Sequence, residues 1–256
     1  MTYRNLIFEK ENYIATITIN HPPANTWDLA TARDFKHALD TVEADHDTRV
    51  VIITGAGEKF FSCGFDVKDD ANADQITPMV RELWRRIDMF PKPMVAAING
   101  YALGGGLELA LCCHFRIMAD RPDIKVGLTE LNLGIIPGWG GTQRLARLVG
   151  RQKALEMILF SRTIGAKEAF EIGLVSRLAA PAALREYTLA FASALAERPP
   201  VAVAWVLRAM AAGLYNGLDE GLEVEARGTE AVRQTEDRQE GFAAFLEKRK
   251  PAFKGK

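Results

Sequence analysis

The sequence predicts an α/β core followed by an all-helical C-terminal stretch, and two observations predict it. Up to about residue 180, short apolar runs with strand character alternate with segments whose apolar residues recur at helical spacing. From about Pro181 onward no strand signal remains, and the chain breaks into helix-like blocks. There is no internal repeat and no low-complexity segment.

In order, Tyr13 to Ile19 alternates apolar residues with threonine, as a half-buried strand does, and His21-Pro22-Pro23 ends it. Leu29, Ala32, Phe35, Leu39 and Val42 mark a helix. Val50-Val51-Ile52-Ile53 reads as a strand covered on both faces. After Gly55-Ala56-Gly57 comes Phe60 to Asp66, a turn into a short helix with Asp66 as its N-cap candidate. Asp69 to Thr77 reads as a polar loop, Met79 to Phe90 as a helix and Met94 to Ile98 as a strand. Three glycines, Gly104 to Gly106, lead from that strand into a helix beginning at Leu107. Phe115 to Met118 is a strand candidate and Asp120 to Asp123 a turn. A second glycine cluster, Gly138 to Gly141, opens a helix over Thr142 to Leu148, with further helices at 151–160 and 166–172. Leu184 to Leu195, Val201 to Ala212, Leu218 to Thr235 and Gly241 to Lys250 complete the chain as helices.

Composition excludes several classes. With 32 Lys and Arg against 33 Asp and Glu, no global charge draws the chain to nucleic acid or an anionic membrane. No apolar run approaches the length of a membrane span, and the first residues lack a signal-peptide core. Three cysteines do not make a disulfide framework, and four scattered histidines lack metal-ligand spacing. The expectation is a cytoplasmic protein without a metal.

The chemistry concentrates in Asn99 to Cys113. A strand, a glycine turn and a helix N-terminus aim backbone N–H groups at negative charge. A phosphate would be repelled by Glu108 in the first helical turn, whereas a carbonyl oxygen that turns negative only during reaction fits. The dinucleotide order G-x-G-x-x-G is absent here, as are the P-loop Lys-Ser/Thr and the G-x-S-x-G elbow. What remains is a pair of carboxylates, Glu108 and Glu130, each in apolar company. Such a charge is costly unless it is paired or employed, so each glutamate is either a structural cap or ion pair, or catalytic.

Several motifs together resemble one family. Phe61-Ser62-Cys63-Gly64-Phe65-Asp66-Val67-Lys68 resembles the FSAGADIK segment of the crotonase (enoyl-CoA hydratase/isomerase) superfamily. Asn99 to Ala110 is similar to that family's second signature, and Gly127 to Glu130 with Leu133 to Gly138 and Gly140 to Leu145 to its third. Ala166, Glu168 and Ala169 with Gly173-Leu174-Val175 resemble a later segment, so the match runs in order along nearly the whole chain.

The resemblance implies a ββα-spiral core, here residues 1–195, and a C-terminal helical trimerisation region, here 196–256, with trimers often paired into hexamers. It implies an acyl-CoA substrate, with coenzyme A part of that substrate and no separate cofactor. It implies an oxyanion hole of the backbone N–H groups of Phe65 and Gly105, with Cys63, Gly64, Asp66, Val67, Lys68, Gly104 and Trp139 at the substrate and CoA site. Members that hydrate enoyl-CoA keep both glutamates; carried over, Glu108 activates water and Glu130 delivers the α-proton. The expected activity is therefore enoyl-CoA hydration. The alternatives are dienoyl-CoA hydration, double-bond isomerisation, decarboxylation or thioester hydrolysis on the same scaffold, or a non-catalytic binding member. Phe65 and Trp139 stand where the family commonly has small residues, and His114 where it commonly has aspartate.

Overall fold

The computed structural model describes residues 3–256. Strand β1 (Leu6–Glu11) pairs antiparallel with β2 (Ile14–Ile19). Only Leu6 of β1 is buried, so this strand has no alternating apolar face to show in sequence, and its charged residues blunt the sheet edge. β3 (Val50–Gly55), β5 (Met94–Ile98), β7 (Phe115–Ala119) and β9 (Arg177–Ala179) continue the sheet in parallel, in the order β1-β2-β3-β5-β7-β9. β5 is buried along its whole length, as its unbroken apolar run requires.

A second, parallel sheet holds β4 (Phe60–Ser62), β6 (Tyr101–Leu103) and β8 (Val126–Gly127) in the order β4-β6-β8. This changes one expectation. The strand that feeds the triple-glycine helix is β6 of the small sheet, not the Met94 strand. The chain crosses between sheets at Asn99-Gly100, where the Asn99 side chain accepts from the Gly55 N–H at 3.1 Å and donates to the carbonyls of Gly55 and Gly57 at 2.9 and 2.8 Å.

Helix α1 (Leu29–Ala44) is capped by Asp28, which accepts from the Thr31 N–H at 2.7 Å. The segment expected as a polar loop is ordered instead. Asp66 caps a short 3-10 turn over Val67–Asn72, as expected, and α2 (Ala73–Asp88) follows directly. The first turn of α2 buries only Ile76, which hides its period. Its later residues Val80, Leu83, Trp84 and Ile87 face the core, where Trp84 meets Trp27 edge-on at 4.8 Å.

Helix α3 (Gly105–Cys112) is buried throughout, as expected of a segment apolar nearly all round. Its C-terminal carbonyls are met by the buried Arg116, whose guanidinium donates to Ala110 at 3.4 Å, Cys113 at 2.5 Å and Leu174 at 2.7 Å. A cation there complements the helix dipole and satisfies carbonyls that water cannot reach. Replacing Arg116 with Met should lower unfolding stability by about 2–4 kcal/mol, read from denaturant midpoints, because those acceptors lose their donor. The neighbouring His114 is not fully satisfied: its Nδ1 accepts from the Met94 N–H at 2.9 Å, while Nε2 has no partner among the described residues.

Helices α4 (Gly141–Val149), α5 (Arg151–Leu159) and α6 (Ala166–Glu171) lead to β9, and α7 (Leu184–Ala196) packs across β3, β5 and β7. Then α8 (Pro200–Asn216) and α9 (Leu218–Arg233) form a hairpin that closes tightly where Gly228 lies against Trp205. α10 (Glu236–Glu247) is capped by Thr235, and the tail is held by Asp237, which accepts from the N–H groups of Lys254 and Gly255 at 2.6 and 2.8 Å.

Candidate active site

The site forms where β4, β6 and β8 end. Three glycines make the close approach possible. A Cβ on Gly64 would lie 2.5 Å from the Gly105 nitrogen, and one on Gly106 would lie 2.0 Å from the Ser62 carbonyl oxygen. Gly104 has φ +53 and ψ −129, a conformation reserved for glycine, and so turns the chain from β6 into α3. The loop after β4 and the start of α3 therefore touch backbone to backbone.

That contact brings two free donors together. Residue Phe65 bridges Trp27 in parallel: the Trp27 N–H donates to the Gly64 carbonyl at 2.8 Å and the Asp66 N–H to the Trp27 carbonyl at 3.1 Å. The bridge leaves the Phe65 N–H directed away from Trp27. Gly105 begins α3, so its N–H has no partner within the helix. Neither amide donates to a protein acceptor among the described residues.

A cavity of about 290 Å³ opens beside them. Of the residues expected at the site, Cys63, Phe65, Val67, Gly104, Gly105, Glu108, Glu130 and Trp139 line it. Gly64, Asp66 and Lys68 do not: Gly64 packs behind Gly105, Asp66 caps the 3-10 turn, and Lys68 is exposed. Asp70, Ala73, Thr77, Leu133, Ile135 and Ile136, none of them assigned to the site from sequence although the last three fall in the third signature, form much of the rest of the wall. The first three lie in the stretch read as a loop, and the last three are exposed apolar residues with no periodic signal.

Both carboxylates face this cavity and both are buried, Glu108 at 1% and Glu130 at 8% exposure. Glu108 Oε1 accepts from the amide N–H groups of Trp139 at 2.8 Å and Gly141 at 2.7 Å. Glu130 Oε2 has no partner among the described residues, and Oε1 lies over Gly104, where an added Cβ would come within 3.0 Å. Burial pushes Glu108 up to about 7; the Gly141 N–H opposes that, the Glu130 charge adds to it, and the Trp139 N–H and Arg144 also oppose it. Burial likewise raises Glu130, with only its own backbone N–H pulling it down. The pair can thus hold one proton near neutrality, which an acid and a base sharing one site require.

Aromatic rings form one wall. Trp139, 6% exposed, meets Phe65 edge-on at 6.3 Å and Trp84 at 5.9 Å. The two bulky departures from the family pattern therefore pack against each other beside the free amides. Burial pushes the Cys63 thiol up to about 11, so it lines the cavity as a neutral thiol. Among the described residues no group of His, Cys, Asp or Glu side chains is placed to hold a metal ion.

Comparison with known proteins identifies the family. Residues 9–256 match the family model described as enoyl-CoA hydratase/isomerase. A crotonyl-CoA hydratase from Syntrophomonas wolfei is 39% identical over 99% of both chains. A short-chain-enoyl-CoA hydratase from Clostridium acetobutylicum is 37% identical, covering 98% of this chain and 97% of that one. The crystal structure of an enoyl-CoA hydratase from Bacillus anthracis superposes with a TM-score of 0.94 at 40% identity, covering 99% of this chain and all of that one. With the family model spanning nearly its whole length and the fold shared to this degree, the chain belongs to the enoyl-CoA hydratase/isomerase family.

Proposed function

We propose that this protein is a hydro-lyase that adds water syn across the 2,3 double bond of a trans-2-enoyl-CoA thioester. The observation that carries the reading is two buried carboxylates and two acceptor-free backbone amides around one cavity. The thioester oxygen accepts from the N–H groups of Phe65 and Gly105. Glu108 removes a proton from water as the water oxygen bonds to C3. The electron pair of the double bond moves toward the thioester, whose oxygen becomes an enolate held by the two amides. C2 then takes a proton from Glu130. One such amide donor is worth about 3–4 kcal/mol of barrier, because it is in place before the charge develops.

Cys63, Val67, Gly104 and Trp139 supply the wall against the acyl thioester. Gly64 and Asp66 hold the loop that presents Phe65, and the exposed Lys68 is read as a partner for a CoA phosphate. Coenzyme A enters as part of the substrate, and the reaction as written calls for no further group. Residues 196–256 are read as the region that joins copies into trimers or hexamers: Met210, Leu222 and Phe245 expose large apolar surface on its helices. Among the described residues no helix is long and apolar enough to cross a membrane, and we place the enzyme in the cytoplasm as a proposal.

The test is a panel of thioesters. Crotonyl-CoA should lose the ultraviolet absorbance of its conjugated double bond and gain the mass of water. Inertness toward crotonyl-CoA, with turnover of a 3-enoyl, cyclic dienoyl or malonyl-type CoA ester or release of free thiol, would replace hydration with another reaction of the family. The pH profile gives a second check. The working state is the singly protonated pair, so kcat/KM should fall as pH rises past the point where Glu108 and Glu130, both raised by burial, lose their last shared proton. A profile flat from pH 6 to 9 would contradict that proton count.

A further inference from the structure

We infer that Arg81 and Arg144, the latter fixed by Asp88, are positioning residues that orient Glu108 through the Gly138–Gly141 turn. The inference rests on Glu108 being the water-activating base. Neither arginine is among the residues lining the cavity. Both act on the turn whose amides hold the Glu108 carboxylate.

The turn is pulled from two sides. On its inner side, the Trp139 and Gly141 N–H groups converge on Glu108 Oε1. On its outer side, Arg81 Nε of α2 donates to the Gly138 carbonyl at 2.6 Å, and Arg144 Nη1 of α4 donates to the Trp139 carbonyl at 2.9 Å. The Gly138 carbonyl and the Trp139 N–H belong to one peptide group. That peptide therefore has a guanidinium at its oxygen and a carboxylate at its hydrogen, an arrangement that fixes its plane and polarises it toward Glu108. Gly140 is in the left-handed region, φ +103, which lets the two inner amides face the same oxygen. A Cβ there would lie 2.0 Å from Arg144 Nη1, so the guanidinium occupies the space that only glycine leaves.

Arg144 is itself held rigidly. Its Nε and Nη2 donate to Asp88 Oδ1 and Oδ2 at 2.9 and 2.6 Å, a two-pronged pair whose side chains are 12% and 3% exposed. Asp88 also faces Arg85, at 3.9 Å, and the Tyr215 phenol of α8, which burial and the Asp88 charge push up to about 12. Glu108 faces two charged groups, Glu130 across the cavity and Arg144 behind the turn.

Two variants separate positioning from stability. Arg144→Lys keeps a cation against Asp88, but one ammonium cannot match the fork and also reach the Trp139 carbonyl. Arg81→Gln alters an exposed side chain and should leave the melting temperature unchanged. With crotonyl-CoA, kcat should fall about 10-fold in Arg144→Lys and several-fold in Arg81→Gln, each with KM held within twofold. As the inner amides drift from Glu108, the alkaline limb of kcat/KM should also move to higher pH, which a purely structural role would not produce. Wild-type kcat in both variants with an unmoved limb overturns the inference, as does an Arg144→Lys loss that only tracks unfolded protein while Arg81→Gln is unaffected. Failure of the wild-type enzyme to hydrate crotonyl-CoA would instead overturn the functional reading itself.

Discussion

Replacing Glu108 or Glu130 with glutamine should each lower kcat for enoyl-CoA hydration by about 10²–10⁴-fold while leaving acyl-CoA affinity nearly unchanged. Glutamine preserves the shape that the cavity was built around. In Glu108→Gln the amide oxygen can still accept from Trp139 and Gly141, so the turn and the aromatic wall should stay in place. What disappears is the negative charge that removes a proton from water. In Glu130→Gln the lost property is the transferable proton. The change should therefore fall on kcat, because the contacts that bind the thioester involve other groups. Stopped-assay rates with calorimetric titration of a saturated acyl-CoA would separate the two effects. Near-wild-type turnover in either variant would remove that glutamate from the chemistry.

Gly105→Ala should also reduce kcat, by about 10²–10³-fold, through geometry alone. An added Cβ would lie 2.3 and 2.4 Å from two ring carbons of Trp139 and 3.2 Å from Gly64 Cα. The indole cannot retreat easily, since Trp84 and Phe65 pack against it. The start of α3 must shift instead, and it carries the Gly105 N–H with it. A donor displaced by even a few tenths of an ångström no longer meets the developing oxyanion at full strength. Combining Gly105→Ala with Trp139→Ala removes the obstructing ring and should restore part of the lost rate, since the Trp139 amide that holds Glu108 is backbone. If the double variant is no better than Gly105→Ala alone, the clash does not explain the loss.

How much of this was legible in sequence follows from the range of each interaction. The α3 helix, its triple glycine and the two glutamates could be read because each rests on neighbours within a few residues. β2, β3 and β5 could be read because their apolar patterns run for five or six residues. The small sheet could not: β4 and β6 have three residues and β8 has two, too few for any period to register. That blindness attached the glycine helix to the wrong strand. It also hid the contact between Gly64 and Gly105, which resemblance implied and local pattern could not. The aromatic wall was half visible, since Phe65 and Trp139 stood out as unusually bulky, but their mutual packing joins segments far apart in the chain. Arg81, Asp88 and Arg144 were least visible. A charged residue on an amphipathic helix reads as solvated, and nothing local marks the one that folds back onto a distant carbonyl.

The central claim is that a water molecule, activated between Glu108 and Glu130, ends up bonded to C3 of a thioester whose oxygen the Phe65 and Gly105 amides hold. Turnover of crotonyl-CoA in ¹⁸O-enriched water, followed by fragment mass analysis, tests it directly. The 3-hydroxyacyl-CoA product should carry the heavy oxygen on C3, with the thioester intact and its carbonyl unlabelled. Label in a released carboxylic acid, or an isomerised acyl-CoA without added oxygen, would show that the carboxylates serve a different reaction.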